Sequence, residues 1–182
     1  MTAMPMATLI PTPESAVPRW RPLSEDDIGE VTALEAQAHV APWTPGNFRD
    51  ALAAGYAALV GERGGRIVAY GVLMLTPGEA QILNLTVAPA ARGEGLGRQL
   101  LHRFVDHARA FGAEQIFLEV RSSNAAAIGL YQAEGFVPVA RRAGYYPGAT
   151  ADAPREDALV MRRALDPAGQ PSAWFKAADE HA

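Results

Sequence analysis

The sequence predicts an α/β domain built on one mixed sheet, and three observations predict it. Helix-like and strand-like runs alternate along 182 residues, apolar residues make up 49% of them, and a strongly periodic helix opens directly after a glycine loop. A chain of this length and composition buries one sizeable core, which leads us to expect one active site.

Ser24 with Asp27 three residues on resembles a capping box, and Ile28, Val31, Leu34 and Ala38 follow at helical spacing, so a first helix is expected from about Glu25 to His39. Thr44 is placed to cap a second, with Pro45 in its first turn and Phe48 and Leu52 on its buried side up to Gly55. Three strand-like runs follow, Tyr56 to Gly61, Arg66 to Leu75 and Ala80 to Val87. The turns Arg63-Gly64-Gly65 and Thr76-Pro77-Gly78 make them an antiparallel meander.

From Gly95 the period becomes helical. Leu96, Leu100, Leu101, Phe104, Val105, Ala108 and Phe111 share one side, and Gly112 is the stop. Ile116 to Val120 reads as a short buried strand. A helix from about Asn124 to Ala133 follows, capped by Ser122 or Ser123 and ended by Gly135. Strands near Val137 to Arg142 and Asp157 to Arg163 flank an irregular stretch from Tyr145 to Arg155. The order is α-α-β-β-β-α-β-α-β-β, with room for a short strand ahead of it. The domain is placed at residues 19–165 between flexible flanks at 1–18 and 166–182, rich in Pro, Ala, Ser and Gly. In the second flank, Trp174 and Phe175 read either as a docking patch or as a segment packed loosely on the surface.

A net charge of −4 with both signs mixed excludes the basic footprint of a dedicated nucleic-acid binder. The absence of cysteine excludes a disulfide scaffold, a cysteine-ligated metal and any acyl transfer through a thiol. No metal site is expected. The first eighteen residues carry no Lys or Arg, so they do not read as a signal peptide, and no run reaches the ~20 apolar residues of a membrane span. A cytoplasmic monomer is the expectation.

Arg92-Gly93-Glu94-Gly95-Leu96-Gly97 lies between a strand and the amphipathic helix. Glycines let backbone amides approach an anion, and a helix N-terminus favours phosphate, although a plain strand-to-helix turn is glycine-rich too. No Gly-Lys-Ser/Thr follows, which excludes a Walker loop. Gly93-x-Gly95 and Gly95-x-Gly97 are followed by Arg98 and Leu100 where a dinucleotide fingerprint needs its third small residue.

Glu119 stands in the apolar run Ile116-Phe117-Leu118-Glu119-Val120, where a carboxylate is costly unless it is paired or used. Its bland role is a partner for Arg121, Arg141 or another cation. Asn124 and Tyr131, seven residues apart, share a helix face; as bland residues they are a cap and a half-buried aromatic.

Arg92-x-x-Gly95-x-Gly97, preceded by Leu85-Thr86-Val87 and Pro89, resembles the (Gln/Arg)-x-x-Gly-x-(Gly/Ala) signature of the GNAT superfamily of N-acetyltransferases. The string from Leu118 to Tyr131 with Gly135-Phe136, Ala41-Pro42-Trp43-Thr44 with Phe48, Arg141 to Pro147, and Arg155-Glu156-Asp157-Ala158 are similar to the branch of that superfamily that modifies ribosomal-protein N-termini. The likeness runs from about Trp20 to Leu165. It implies acetyl-CoA as co-substrate, with Arg92, Gly93, Glu94, Gly95, Leu96, Gly97 and Arg98 around the pyrophosphate and Leu85, Thr86 and Val87 along the pantetheine arm. It further implies Glu119 as general base, Tyr131 as general acid and Asn124 as a CoA contact. The implied acceptor is the N-terminal alanine of small-subunit ribosomal protein S-eighteen.

The chemistry is consistent with those assignments. Attack of an amine on a thioester needs a base for the amine's extra proton and an acid for the departing thiolate. With no cysteine, direct attack in a ternary complex is the expected route. An α-amine has a reference pKa of about 7.7–8.0 and a lysine about 10.4, so a single carboxylate base suits the former by roughly 3.5 kcal/mol. Trp43, Phe48, Tyr145 and Tyr146 are expected to wall the acceptor site, with a role as aromatics covering the core as the alternative. Other readings are a GNAT enzyme with another acceptor amine, a regulatory acyl-CoA-binding module, and a nicotinamide oxidoreductase.

Overall fold

The computed structural model describes residues 17–165 apart from Ala149 and Ala151. Residues 1–16 and the tail from 166 on, with Trp174 and Phe175, lie outside the described residues.

A short strand β1 (Arg19–Pro22) leads into a 3₁₀ turn (Glu25–Asp27) that continues as α1 (Ile28–Ala38). The Asp27 carboxylate fixes this corner. It accepts from the Ser24 amide at 2.8 Å and takes both outer nitrogens of Arg21 at 2.7 and 2.8 Å. Helix α2 (Pro45–Ala53) begins with Asn47 N–H bonded to Thr44 Oγ1, as the sequence predicts.

Strands β2 (Ala57–Arg63), β3 (Arg66–Thr76) and β4 (Glu79–Val87) form the meander. After a 3₁₀ turn at Pro89–Ala91 come α3 (Leu96–Phe111), β5 (Gln115–Arg121), α4 (Ala125–Ala133), β6 (Val137–Tyr146) and β7 (Glu156–Ala164). The sheet order is β1-β2-β3-β4-β5-β7-β6, parallel where β4 meets β5 and antiparallel at the other pairings.

Two cores cover the two faces. Leu100, Leu101, Phe104 and Val105 of α3 pack with Ile116, Leu118, Tyr131 and Met161, whereas Ile28, Val31 and Leu34 of α1 pack with Phe48, Val60, Tyr70 and Val72. Each large apolar side chain so buried contributes about 1.5–3 kcal/mol. The packing against α3 is close: a Cβ at Gly71 would come within 2.7 Å of both the Asn84 carbonyl oxygen and the Phe104 ring.

Four expectations need correction. Asn124 itself caps α4, accepting from Ala127 N–H at 3.2 Å, in place of Ser122 or Ser123. Phe111, the last residue of α3 before its Gly112 cap, is exposed and does not join the buried side of the helix. Pro89–Ala91 is helical where only a connection was foreseen. Strand β6 runs on through Tyr145 and Tyr146, which were expected to be irregular. That extension is held by side chains: Asp157 accepts from Gly144 N–H at 2.7 Å and from Arg141 at 2.6 Å, while Arg155 donates to the carbonyls of Gly144 and Tyr145.

Among the described residues no helix is long and apolar enough to cross a membrane.

Candidate active site

The site originates in a register change. On β4, Ile82 faces Leu73 and Asn84 faces Val72, so Leu83 is an extra residue that bends the strand. The parallel ladder to β5 ends at the same point, with Ile82 opposite Leu118. Beyond it β4 and β5 part, leaving Leu83 to Val87 without a β5 partner. An extended ligand can add there as a strand.

A cleft of about 160 Å³ occupies the opening, lined by Trp43, Leu85, Glu119, Asn124, Tyr131 and Tyr146 among others. A second cavity of about 260 Å³, lined by Met74, Gln81, Phe117, Arg142 and Val160, also reaches Glu119. Glu119 therefore stands between the two.

The Glu119 side chain is 13% exposed, with Oε1 3.0 Å from Arg142 Nη1. Arg142 is the cation it pairs with, not Arg121 or Arg141. Arg121 instead lies over the Tyr146 ring and bonds Glu156 at 3.0 Å. A hydrogen bond to Glu119 raises the pKa of the Tyr145 phenol, so that hydroxyl is a donor to the carboxylate. Burial, and after it the neighbouring Tyr146, pushes the Tyr131 phenol up to about 12. Tyr131 is thus a protonated donor at neutral pH, its ring buried and tilted against Phe136 at 5.8 Å between centroids. Asn124 commits its oxygen to the α4 cap and keeps its amide N–H₂ for a ligand.

At the loop, Gly93 and Gly95 take left-handed φ of 84° and 81°, which only glycine adopts freely. Gln99 N–H to Gly95 C=O, at 3.1 Å, is the first bond of α3, so the amides of Leu96, Gly97 and Arg98 precede it and favour an anion. Glu94 would oppose a phosphate. Its carboxylate is drawn off by Arg63 at 2.5 Å, which lowers its pKa. The Arg98 guanidinium pairs with Glu134 at 2.8 Å, so its backbone amide is what it offers the loop. Arg92 donates to Val87 C=O at 3.4 Å, closing the turn. Free β4 edge, glycine loop and helix N-terminus together suit a pantetheine arm ending in a pyrophosphate.

The four aromatics expected at the acceptor site separate. Trp43 and Tyr146 line the cleft, and Tyr145 stands against Glu119 and under Arg142. Phe48, 1% exposed, lies behind Trp43 at 5.3 Å and against Tyr70 at 5.7 Å; for it the core alternative holds.

Sequence reading missed a buried polar group beside the cleft. Glu35, 2% exposed, accepts from Trp43 N–H at 3.1 Å, from the Tyr70 hydroxyl, and from Asn84 at 3.2 and 3.3 Å. Its signal was present: Glu35 stands four residues after Val31 on the apolar stripe of α1, and Asn84 falls with Ile82 and Thr86 at the buried, every-second positions of β4.

Comparison with known proteins gives the family. Residues 25–136 match the Acetyltransferase (GNAT) family. The chain is 35% identical over 139 residues to the "[Ribosomal protein bS18]-alanine N-acetyltransferase" of Escherichia coli strain K12, covering 76% of this chain and 92% of that protein. It is 38% identical over 148 residues to the "N-alpha-acetyltransferase RimI" of Mycobacterium tuberculosis, covering 78% and 89%. The crystal structure of the Escherichia coli ribosomal-protein-S18-alanine N-acetyltransferase superposes with a TM-score of 0.75 at 34% identity over 84% of this chain and 96% of that one. Yet another neighbour, yncA of Salmonella typhimurium solved with its cofactor acetyl-CoA, gives 0.66 at 25% over 85% and 98%. With a family match over more than half its length and relatives above 30% identity along most of it, the chain belongs to the GNAT family of acetyl-CoA-dependent N-acetyltransferases.

Proposed function

We propose that the chain acetylates the α-amine of an N-terminal alanine, with ribosomal protein bS18 as acceptor, and that Glu119 and Tyr131 carry the proton transfers. The observation that carries this reading is the placement of a carboxylate and a phenol held protonated in one cleft, at the point where β4 and β5 part.

The amine nitrogen attacks the thioester carbonyl, and the tetrahedral adduct collapses to the amide with release of the CoA sulfur. The amine's extra proton passes to Glu119, directly or through one water. Tyr131 gives its phenolic proton to the sulfur. Transfer is direct, since the chain has no cysteine to carry the acetyl group. The acetyl-CoA pyrophosphate lies on Arg92 to Arg98 and its arm along Leu85 to Val87, with the Asn124 amide alongside. Trp43, Tyr145 and Tyr146 border the acceptor. The relatives named for bS18-alanine acetylation support the acceptor, and the lower pKa of an α-amine supports it over lysine.

Incubating purified ribosomal proteins with enzyme and acetyl-CoA, followed by mass spectrometry, is expected to add one acetyl group to the bS18 N-terminus. A peptide beginning with Ala should react far faster than the same peptide with a blocked α-amine and free lysines; equal rates would move the acceptor to another amine. In Glu119→Gln, turnover should fall most at low pH and recover as the substrate amine neutralises itself above its pKa of about 8. A variant matching wild type at every pH would remove Glu119 as base.

A further inference from the structure

We infer that Glu35 is a positioning residue for the acceptor, clamping the α1–α2 segment to the bend of β4; the inference rests on the acetyltransfer reading above.

The hydrogen bonds that lead to Glu35 have assignable directions. Thr86 Oγ1 gives its single proton to Asn84 Oδ1 at 2.8 Å. The 2.7 Å contact between Thr86 Oγ1 and His39 Nε2 must then be donated by His39. Asn84 donates its amide N–H₂ to both oxygens of Glu35, and Tyr70 O–H and Trp43 N–H complete the set. These bonds run from His39 through Thr86 and Asn84 and end on the Glu35 carboxylate. Burial and Glu35 both raise the pKa of Tyr70, which keeps it a donor.

The donors come from three places. Trp43 and His39 belong to the segment between α1 and α2 and line the cleft, Tyr70 belongs to β3, and Asn84 and Thr86 follow the β4 bulge where the free edge begins. Glu35 thus ties the wall on the acceptor side to the strand that lies along the pantetheine arm. With the clamp in place the wall bearing His39 and Trp43 is ordered before the acceptor arrives; without it, that ordering has to be supplied by the acceptor's own binding, which weakens binding more than it slows chemistry. A carboxylate is also hard to replace here, because several buried donors would lose their acceptor together.

The test uses the full chain and an Ala-initiated peptide. Glu35→Gln keeps the volume but brings an N–H₂ among donors. It is expected to raise the peptide KM at least tenfold while acetyl-CoA Kd stays within twofold and kcat within threefold. Tyr70→Phe removes a donor on the side away from the cleft, and is expected to lower Tm with little change in KM. A Glu35→Gln enzyme of reduced Tm but unchanged KM would make Glu35 a core residue and overturn the inference. Should Glu35→Gln fail to fold, His39→Ala, at a half-exposed position, carries the same expectation, and an unchanged KM overturns it equally. Peptide-resolved hydrogen exchange over residues 39–44 gives a readout independent of the acceptor. Faster exchange there in the variant, with β4 unchanged, supports the clamp, and no change refutes it. Lack of wild-type turnover on the peptide would count against the alanine acceptor alone.

Discussion

Arg142 Nη1 lies 3.0 Å from Glu119 Oε1, so the carboxylate proposed to receive the acceptor's proton already holds a cation. The guanidinium reaches it from β6, 5.3 Å from the Tyr145 ring centroid, and the Arg142 side chain is 54% exposed. An incoming ammonium group must share or displace it. Pairs this open are worth no more than about 1 kcal/mol, or roughly fivefold in binding. Arg142→Ala is therefore expected to lower the KM for an Ala peptide by about two- to fivefold, with acetyl-CoA affinity unchanged. A raised KM would show instead that Arg142 holds the acceptor chain.

Tyr131→Phe keeps the ring against Phe136 and removes only the donor. Turnover should fall by about 10²- to 10⁴-fold with acetyl-CoA affinity held within a few-fold. The pH dependence follows from the sign of the shift. Burial stabilises the neutral phenol and holds its pKa at about 12, so it stays protonated well above its usual range. Wild-type kcat should show no alkaline loss between about pH 8 and 10, where an unperturbed tyrosine near 10 would start to give one. A kcat limb in that window that vanishes in Tyr131→Phe would contradict the burial seen here.

How legible the molecule was depends on which force sets each element. Helix α3 could be read almost to the residue, because Leu96 to Ala108 repeat at one period and Gly112 stops it with a φ of 86°. The glycine loop was legible for a similar reason: its backbone chemistry is carried by residue type. Tyr145 and Tyr146 read as loop in the sequence because β6 is extended by Asp157 and Arg155 through bonds spanning 13 and 10 residues, and no local pattern records such bonds. Glu35 was hidden differently. Its cost is offset by Tyr70 and Asn84, 35 and 49 residues away, so its position on an apolar stripe showed a problem without showing the answer. Glu119 was found, but its partner Arg142 was not, since β5 and β6 meet only through β7.

Asp27 gives the fold an acid-sensitive corner. The paired hydrogen bonds from Arg21, helped by Ser24, hold its carboxyl down at about 2. In the unfolded chain the group returns to about 3.9. Its folded pKa is depressed, so its stabilisation is complete above about pH 4 and is lost as pH falls toward 2. Urea midpoints of wild type and Asp27→Asn should differ most near pH 5 and converge near pH 2. A gap that stayed constant with pH would mean that the corner is held by packing and not by charge.

Gly95 allows backbone strain and ligand electrostatics to be separated. Its φ of 81° is left-handed, yet a Cβ there would meet nothing within 4 Å, so substitution brings a conformational cost and no clash. That cost is about 1–2 kcal/mol for alanine and less for aspartate, whose short polar side chain tolerates the left-handed region better. The ligand should rank the two the other way. Alanine adds no charge beside the α3 N-terminus, whereas aspartate sets a carboxylate where the pyrophosphate is proposed to lie, and Arg63, already paired with Glu94, is not free to neutralise it. Thermal unfolding of the free protein should therefore place Gly95→Asp above Gly95→Ala, and acetyl-CoA titration should place it below, by tenfold or more. Saturating acetyl-CoA at a hundred times its Kd would add about 2.7 kcal/mol to wild type, and Gly95→Asp at that same concentration should gain markedly less. If calorimetry gave both variants the wild-type affinity, the pyrophosphate would have to lie away from this loop.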